Sequence, residues 1–311
     1  MSRFDKALAI VNPAAQNGNG AKGAAFLKHV SCTDDAPFAS LDVVSTKKAG
    51  HAVELARNAA EYDVVIALGG DGVIHEVVNG LMSIPREDRP ALAVLPCGNG
   101  NDYARTLGMS FNFQEAFNQL ASAQLRSVDI GECNGRYFAE TLSFGLDAAI
   151  AIGTHQRRRR TGRTGTRLFF EEGIDQLLNH RDPYEYRLCE DADQFSEGSM
   201  LLFAVQVGPT YGGGFKVCPE ADPSDGLFDL CIAKAPLGLL KATFLFLKAK
   251  DGGHVSHKDS ILMSKASHVH VEFNAAPPTQ IDGEDFGEST VFDISLHPKA
   301  LNVFFAKGGG A

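Results

Sequence analysis

Along the first 125 residues, short apolar runs alternate with stretches whose apolar positions recur every three to four residues. The runs are ALAIV (7–11), LDVV (41–44), DVVIAL (63–68) and ALAVL (91–95), and the helical patterns between them cover 20–30, 50–61, 72–82 and 99–107. Continuous apolar strands alternating with helices predict βαβ units, and so a parallel sheet covered on both faces. After residue 126 the rhythm changes. Short strand-like segments fall at 127–133, 136–143, 184–190, 199–207, 227–233, 268–273 and 290–296, separated by turn clusters such as YGGG, DPSDG and NAAPP. That spacing predicts an antiparallel sandwich or barrel, with helical insertions at 166–179 and 236–250. A last run, ALNVFF (300–305), is expected to return to the first domain. The expected architecture is a Rossmann-like α/β domain (1–126 plus about 299–311) followed by a mainly antiparallel β-sandwich domain (127–298).

Charge and composition narrow the function classes. Lys plus Arg number 29 against 38 Asp plus Glu, a net charge of −9. This argues against a nucleic-acid binder, which carries a basic excess. A polyanionic substrate would then be met by local groups or a metal. The longest apolar stretches are too short to span a bilayer, and the start MSRFDKALAIVNP lacks a signal-peptide core. Cys32, Cys97, Cys133, Cys189, Cys218 and Cys231 never form CxxC, so reduced thiols and a cytoplasmic address are expected. The terminal GGGA is expected to be disordered.

Three polar turns follow strands: NPAAQNGNG, GGDG and PCGNGND. In a parallel sheet they converge on the carboxyl edge, where ligands bind. In IALGGDGVIHEVVNGL, Gly69, Gly70 and Gly72 let backbone amides approach a ligand, and the helix that starts there favours an anion. Asp71 is the anomaly, because a carboxylate repels phosphate unless it binds a metal, accepts a proton or holds a hydroxyl. That combination suits phosphoryl transfer. The apolar stripe Ile74, Val77, Val78 and Leu81 places Glu76 and Asn79 on another face near the turn. A plain β–α turn capped by Asp71, with Glu76 and Asn79 solvated, accounts for the same residues. The second turn, LPCGNGNDYARTLG (95–108), opens a helix at Asn101 and Asp102. Asp102 could hold Mg²⁺, although Asn99 or Asn101 as an N-cap is the alternative.

The motifs GGDGV…EVVNGL, PCGNGNDYAR and IDGED (281–285), in that order, resemble the diacylglycerol kinase-like lipid kinases, which include bacterial diacylglycerol kinases and sphingosine kinases. NP at 12–13, TKKAGHAVELA at 46–56 and DPSDGLFDL at 222–230 extend the likeness over essentially the whole chain. The resemblance implies a two-domain kinase with ATP in an interdomain cleft, its phosphates against Asn12, Thr46, Gly69, Gly70, Asp71, Gly72, Val73, Glu76, Asn79, Gly98, Asn99 and Asn101. It implies Mg²⁺ on Asp102, and a structural Mg²⁺ on Asp225 with backbone carbonyls near Asp222 and Leu227. The general base is Glu284 by analogy with the bacterial enzymes, or Asp71 by analogy with sphingosine kinases. IDGED also reads as a plain hairpin turn, since Asp-Gly favours one. Two family threonines are replaced, by Val73 and Asn99, and this alters the implied phosphate cradle.

The implied partner is a lipid at a membrane surface. HQRRRRTGRTGTR (155–167) carries six arginines, so Arg157–Arg167 would meet anionic headgroups, unless it is a solvated loop. PLGLLKATFLFLKAK (236–250) would line an acyl pocket or form a buried helix, and HVH (268–270) reads as structural. An NAD kinase and a catalytically silent nucleotide-binding regulator are the alternative functions.

Overall fold

The computed structural model describes residues 4–31, 37–163, 166–179, 181–191 and 194–308. Cys32 and the last three residues of the GGGA tail lie outside the described residues. The strands are β1 (Phe4–Val11), β2 (Phe38–Ser45), β3 (Val64–Gly69), β4 (Ala91–Pro96), β5 (Gln124–Cys133), β6 (Arg136–Phe138), β7 (Thr141–Gly145), β8 (Tyr184–Glu190), β9 (Ser196–Gln206), β10 (Phe228–Lys234), β11 (Ile261–Ala266), β12 (His268–Phe273), β13 (Thr279–Ile281), β14 (Glu284–Asp285) and β15 (Val291–Phe305). The helices are α1 (Ala15–Val30), α2 (His51–Arg57), α3 (Asp71–Met82), α4 (Asp102–Thr106), α5 (Phe113–Leu120), α6 (Leu146–Thr161), α7 (Thr166–Asn179) and α8 (Leu239–Ala249). The chain divides into two compact units, Met1–Val128 with Lys299–Ala311 and Asp129–Pro298.

In the first unit the strand order is β2-β1-β3-β4, all parallel, and the end of β15 joins β4 in parallel at Val303 and Leu92. Every residue of β3 and β4 is buried. That follows from helices covering both faces, which is why these strands read as unbroken apolar runs. Helix α3 turns Ile74, Val77, Val78 and Leu81 inward, as its stripe predicts.

In the second unit the strands pair antiparallel in the order β14-β13-β7-β9-β8-β12, and β12 pairs with the start of β15. β10 joins β9 and β11. Period-two alternation divides the strands between two cores. Leu142, Phe144, Phe203, Val205, Phe228 and Leu230 enter a sheet-to-sheet core with Val269, Val271 and Phe292. Leu201, Ala204, Cys231 and Ala233 face Leu146, Ile150, Phe169 and Leu245 of the helical insertions.

Several elements differ from the sequence reading. Residues 146–161 are one helix, α6, where the arginine run suggested a loop. α6 packs on α7 because Gly153 leaves room; a Cβ there would meet Glu172 Oε1 at 2.2 Å. Helix α5 was not anticipated, although Asn112 caps it by accepting from Gln114 N (3.0 Å) and Glu115 N (3.2 Å). Strand β11 was also missed. The runs 290–296 and 300–305 belong to one strand, β15, with Lys299 in a left-handed conformation (φ 50°) beside Pro298.

Candidate active site

The four turns after β1, β2, β3 and β4 carry the first group of candidate residues. Asn12 N donates to Leu68 O (3.0 Å), and the Asn12 side chain accepts from Ala14 N (3.0 Å), closing an Asx turn. Gln16, Asn17 and Gly18 then take left-handed conformations before the regular part of α1 begins. The Gln16 amide donates to Gly98 O, tying the first turn to the fourth. Thr46 is half-buried at the end of β2, with its N–H on Val11 O (2.7 Å).

The two glycine-rich turns press directly on each other. A Cβ at Gly98 would lie 2.4 Å from Gly70 Cα, so only glycine permits this approach. Asn101 is left-handed (φ 53°) and does not cap α4. Its Oδ1 accepts from Gly98 N (2.8 Å) and its Nδ2 donates to Gly98 O (3.0 Å), which holds the loop closed. Asn99 is half-buried, and its side chain makes no hydrogen bond with the described residues. Asp71 is the first residue of α3 with Gly70 as N-cap, so it does not cap its own helix. Its Oδ1 instead accepts from Tyr103 N (3.2 Å). A Cβ placed on Gly100 would sit 3.0 Å from Asp71 Oδ2 and 3.0 Å from Asp102 Oδ2. Two carboxylates therefore converge beside a bare backbone. Arg105 Nε lies 4.0 Å from Asp102 Oδ1.

Three other candidates support this arrangement. Glu76 is not solvated: it accepts from Gly50 N (2.8 Å) and Ala52 N (3.0 Å) and so caps α2. Asn79 donates to His75 O (2.9 Å). Val73 is buried, and a Cβ at Gly69 would lie 2.8 Å from its Cγ2. The valine fills space beside the turn.

In the second unit, Asp282 (φ 48°) and Gly283 (φ 87°) form a two-residue hairpin loop between β13 and β14, both left-handed as the Asp-Gly pair favours. The Asp282 carboxylate accepts from Ala139 N, Glu140 N and Thr141 N, each at 3.0 Å. Asp282→Ala would strip the charged acceptor from three buried amides. We expect a loss of about 3 kcal/mol, measured by denaturant unfolding. Glu284 follows the loop, half-buried, and its carboxylate has no hydrogen-bond or ionic partner among the described residues.

Sequence reasoning missed a buried polar layer on this sheet, in which Thr141, Ser143, Gln206 and Gln280 share one face through the register of β7, β9 and β13. Polar residues at alternate positions in TLSFG, Thr141 and Ser143, were the available signal. Asp147, at the start of α6, accepts from Tyr211 Oη and from Ala148 N (2.8 Å). Burial pushes its carboxyl up to about 7, against the lowering effect of the Tyr211, Ser143 and Ala148 donors. The unfolded chain releases this proton near the ordinary carboxylate pKa, so between there and pH 7 only the folded state holds it. Stability from this group is present at low pH and falls as pH rises through 7. Between pH 5 and pH 8 the stability advantage of wild type over Asp147→Asn should shrink by about 3 kcal/mol, read from urea unfolding at both pH values.

Magnesium can be tested against these donor sets. One or two carboxylates with water and phosphate oxygens are its usual ligands, and Asp71 with Asp102 fits that chemistry. The Asp222–Leu227 turn does not. Asp222 Oδ1 accepts from Ser224 N (3.0 Å) and Ser224 Oγ (2.7 Å). Asp225 Oδ1 accepts from Leu227 N (3.0 Å), and its Oδ2 pairs with Lys265 Nζ (3.0 Å), which also lies 2.9 Å from Asp229. The Lys265 ammonium already neutralises the carboxylate that the turn would offer a metal, and Asp129 accepts from Gly226 N (2.8 Å) to close the turn. Among the described residues no group of three His, Cys, Asp or Glu side chains could hold a metal. His268 and His270 instead face Asp293, at 2.9 and 3.5 Å.

Comparison with known proteins gives these features a context. Residues 6–133 match the diacylglycerol kinase catalytic domain, and residues 140–305 match the YegS C-terminal NAD kinase beta sandwich-like domain. The chain is 33% identical over 243 residues to a diacylglycerol kinase of Bacillus subtilis, covering 77% of this chain and 78% of that one. It is 33% identical over 275 residues to a YegS-like lipid kinase of Chromohalobacter salexigens, covering 86% and 85%. A crystal structure of a diacylglycerol kinase from Bacillus anthracis superposes with a TM-score of 0.75 at 23% identity, covering 99% of this chain and 100% of that one. An NAD kinase from Archaeoglobus fulgidus in complex with ATP shares the fold at a TM-score of 0.52 and 13% identity, covering 97% and 93%. Both halves of the chain thus have their counterparts among these kinases, and the chain belongs to the diacylglycerol kinase and YegS-like lipid kinases.

Proposed function

We propose that this lipid kinase uses ATP and Mg²⁺ to phosphorylate a hydroxyl of diacylglycerol or a related lipid. The observation that carries the reading is the convergence of Asp71 and Asp102 on the bare backbone of Gly100. A carboxylate pair beside two glycine turns suits a metal–triphosphate better than it suits any single anion. Gly69–Gly72 and Gly98–Asn101 let the phosphates approach the backbone closely, and Asn12 and Thr46 offer short side chains, their own amides being held by Leu68 O and Val11 O. Asn99 and Thr46 offer side-chain donors, while Val73 offers none and its N–H already donates to Gly70 O (3.0 Å). Glu76 and Asn79 act at one remove, through α2 and His75. Magnesium held by Asp102 and Asp71 would neutralise charge on the phosphoryl group. The lipid hydroxyl oxygen forms its bond to the γ-phosphorus as the bridging bond to ADP breaks, and Glu284 takes the hydroxyl proton.

The lipid is met at a membrane surface from the cytoplasmic side. Helix α8 supports this with an outward row, Leu240 (87% exposed), Phe244 (44%) and Leu247 (48%), flanked by Lys248 and Lys250, while Lys241 pairs with Asp259. Arg157 is committed to Glu172 and Asp175, and Arg163 and Arg167 to Glu171, so the arginine run contributes less than its charge suggests. No helix among the described residues is long and apolar enough to cross a membrane.

The test is product identification. Purified protein with Mg²⁺ and γ-labelled ATP is offered diacylglycerol, monoacylglycerol, a sphingoid base and NAD. Label in one lipid is expected; label in NAD alone would overturn the reading.

A further inference from the structure

The Asp-Gly loop that carries Glu284 is tied to the interior by a hydrogen-bond chain whose direction is forced from Gly283 as far as Ser143. Gly283 N–H can only donate, so Gln280 Oε1 accepts it (2.7 Å). This fixes the orientation of the Gln280 amide. Gln280 Nε2 must then donate to Ser143 Oγ (2.7 Å), directly across the β13–β7 pair. The Ser143 hydroxyl is in turn one of the donors that hold the Asp147 carboxyl down against its burial. Asp147 closes the chain by accepting from Tyr211 Oη and Ala148 N as well. Gln280 and Ser143 are fully buried, and Asp147 is only 2% exposed.

No link of this chain reaches a solvent-exposed group, and the hairpin it serves is only two residues wide. On the other side of the loop the Asp282 carboxylate clamps residues 139–141. The loop is therefore held from two directions, and its first residue after the turn is the unpartnered Glu284. A buried network is costly unless every member is satisfied. Here the Gln280 amide is satisfied only in this order, so breaking its link to Ser143 loosens one of the two tethers of the loop.

We propose that Gln280, Ser143 and Asp147 are positioning residues for Glu284, acting through the Gly283 amide to fix the direction in which its carboxylate points. The proposal rests on the reading of Glu284 as general base. Displacement of a catalytic group by about 1 Å can cost about 100-fold in rate. Ser143→Ala removes one hydroxyl, leaves the backbone intact and orphans the Gln280 amide.

A double-mutant cycle tests this, using ATP, Mg²⁺ and diacylglycerol micelles, with Ser143→Ala, Glu284→Gln and the pair. Melting and ATP binding are measured alongside. Expected are a fall in kcat of about 10- to 100-fold in Ser143→Ala, a KM for ATP within about twofold of wild type, and no further loss when Ser143→Ala is added to Glu284→Gln. Equal losses in both backgrounds would mean a general structural role and overturn the proposal. Full activity in Ser143→Ala beside an inactive Glu284→Gln would overturn it while sparing the base assignment. Full activity in Glu284→Gln would remove the base assignment itself. Should Ser143→Ala not fold, Tyr211→Phe breaks the far end of the same chain and is read by the same criteria.

Discussion

Glu284→Gln is expected to lower turnover on diacylglycerol micelles by about 10²- to 10⁴-fold and to leave ATP binding unchanged. Glutamine has the shape of glutamate and hydrogen-bonds at the same sites, but it cannot take a proton at neutral pH. Glu284 suits this role because its carboxylate is half-buried and has no partner among the described residues. A structural glutamate in this setting would be paired, as Glu172 is with Arg157 at 2.6 Å. Its neighbour Asp282 supplies the contrast within one motif: three amide bonds, a structural duty and no spare oxygen for substrate. Steady-state rates with equilibrium ATP binding decide the matter. A loss smaller than about threefold would move the proton-accepting role away from Glu284, and Asp71 would become the leading acid.

The second large effect is expected at Asp71. Asp71→Asn keeps an oxygen for the Tyr103 N–H bond, so the α3–α4 junction should survive. The variant loses the charge on the face turned toward Gly100, where Asp102 also points. Removing one of two converging charges from a phosphoryl-transfer site should lower kcat by about 10²- to 10³-fold and raise the Mg²⁺ concentration needed for half-maximal rate. Melting should change little. A variant with normal magnesium dependence and normal turnover would show that Asp102 suffices, and that Asp71 has a structural role.

The parallel half was legible in sequence because its strands are buried on both faces, so ALAIV, DVVIAL and ALAVL stand out from the amphipathic helices between them. The converging turns were legible for the same reason: parallel strands place every β–α turn on one edge. What could not be read was which polar side chains turn inward. Glu76 looks solvated on a helical wheel, yet it caps α2 some 25 residues upstream in sequence, since its partners are Gly50 and Ala52. The buried Thr141, Ser143, Gln206 and Gln280 layer depends on the register of β7, β9 and β13, which no local pattern encodes. Helix α6 was obscured by its own chemistry: Gly153 and a block of arginines hide its period, and its stability comes from packing on α7 and from the Arg157–Glu172 pair. At Asp225 the motif suggested a cation, while the neutralising charge comes from Lys265, 40 residues away.

Isotope trapping tests the central claim most directly. Protein is preloaded with γ-labelled ATP and Mg²⁺, then mixed with diacylglycerol micelles and excess unlabelled ATP. If bound ATP passes its phosphate straight to the lipid hydroxyl, a substantial fraction of the bound label appears as lipid phosphate within the first turnover. Label released only as inorganic phosphate or unchanged ATP would contradict direct transfer from the glycine turns to lipid.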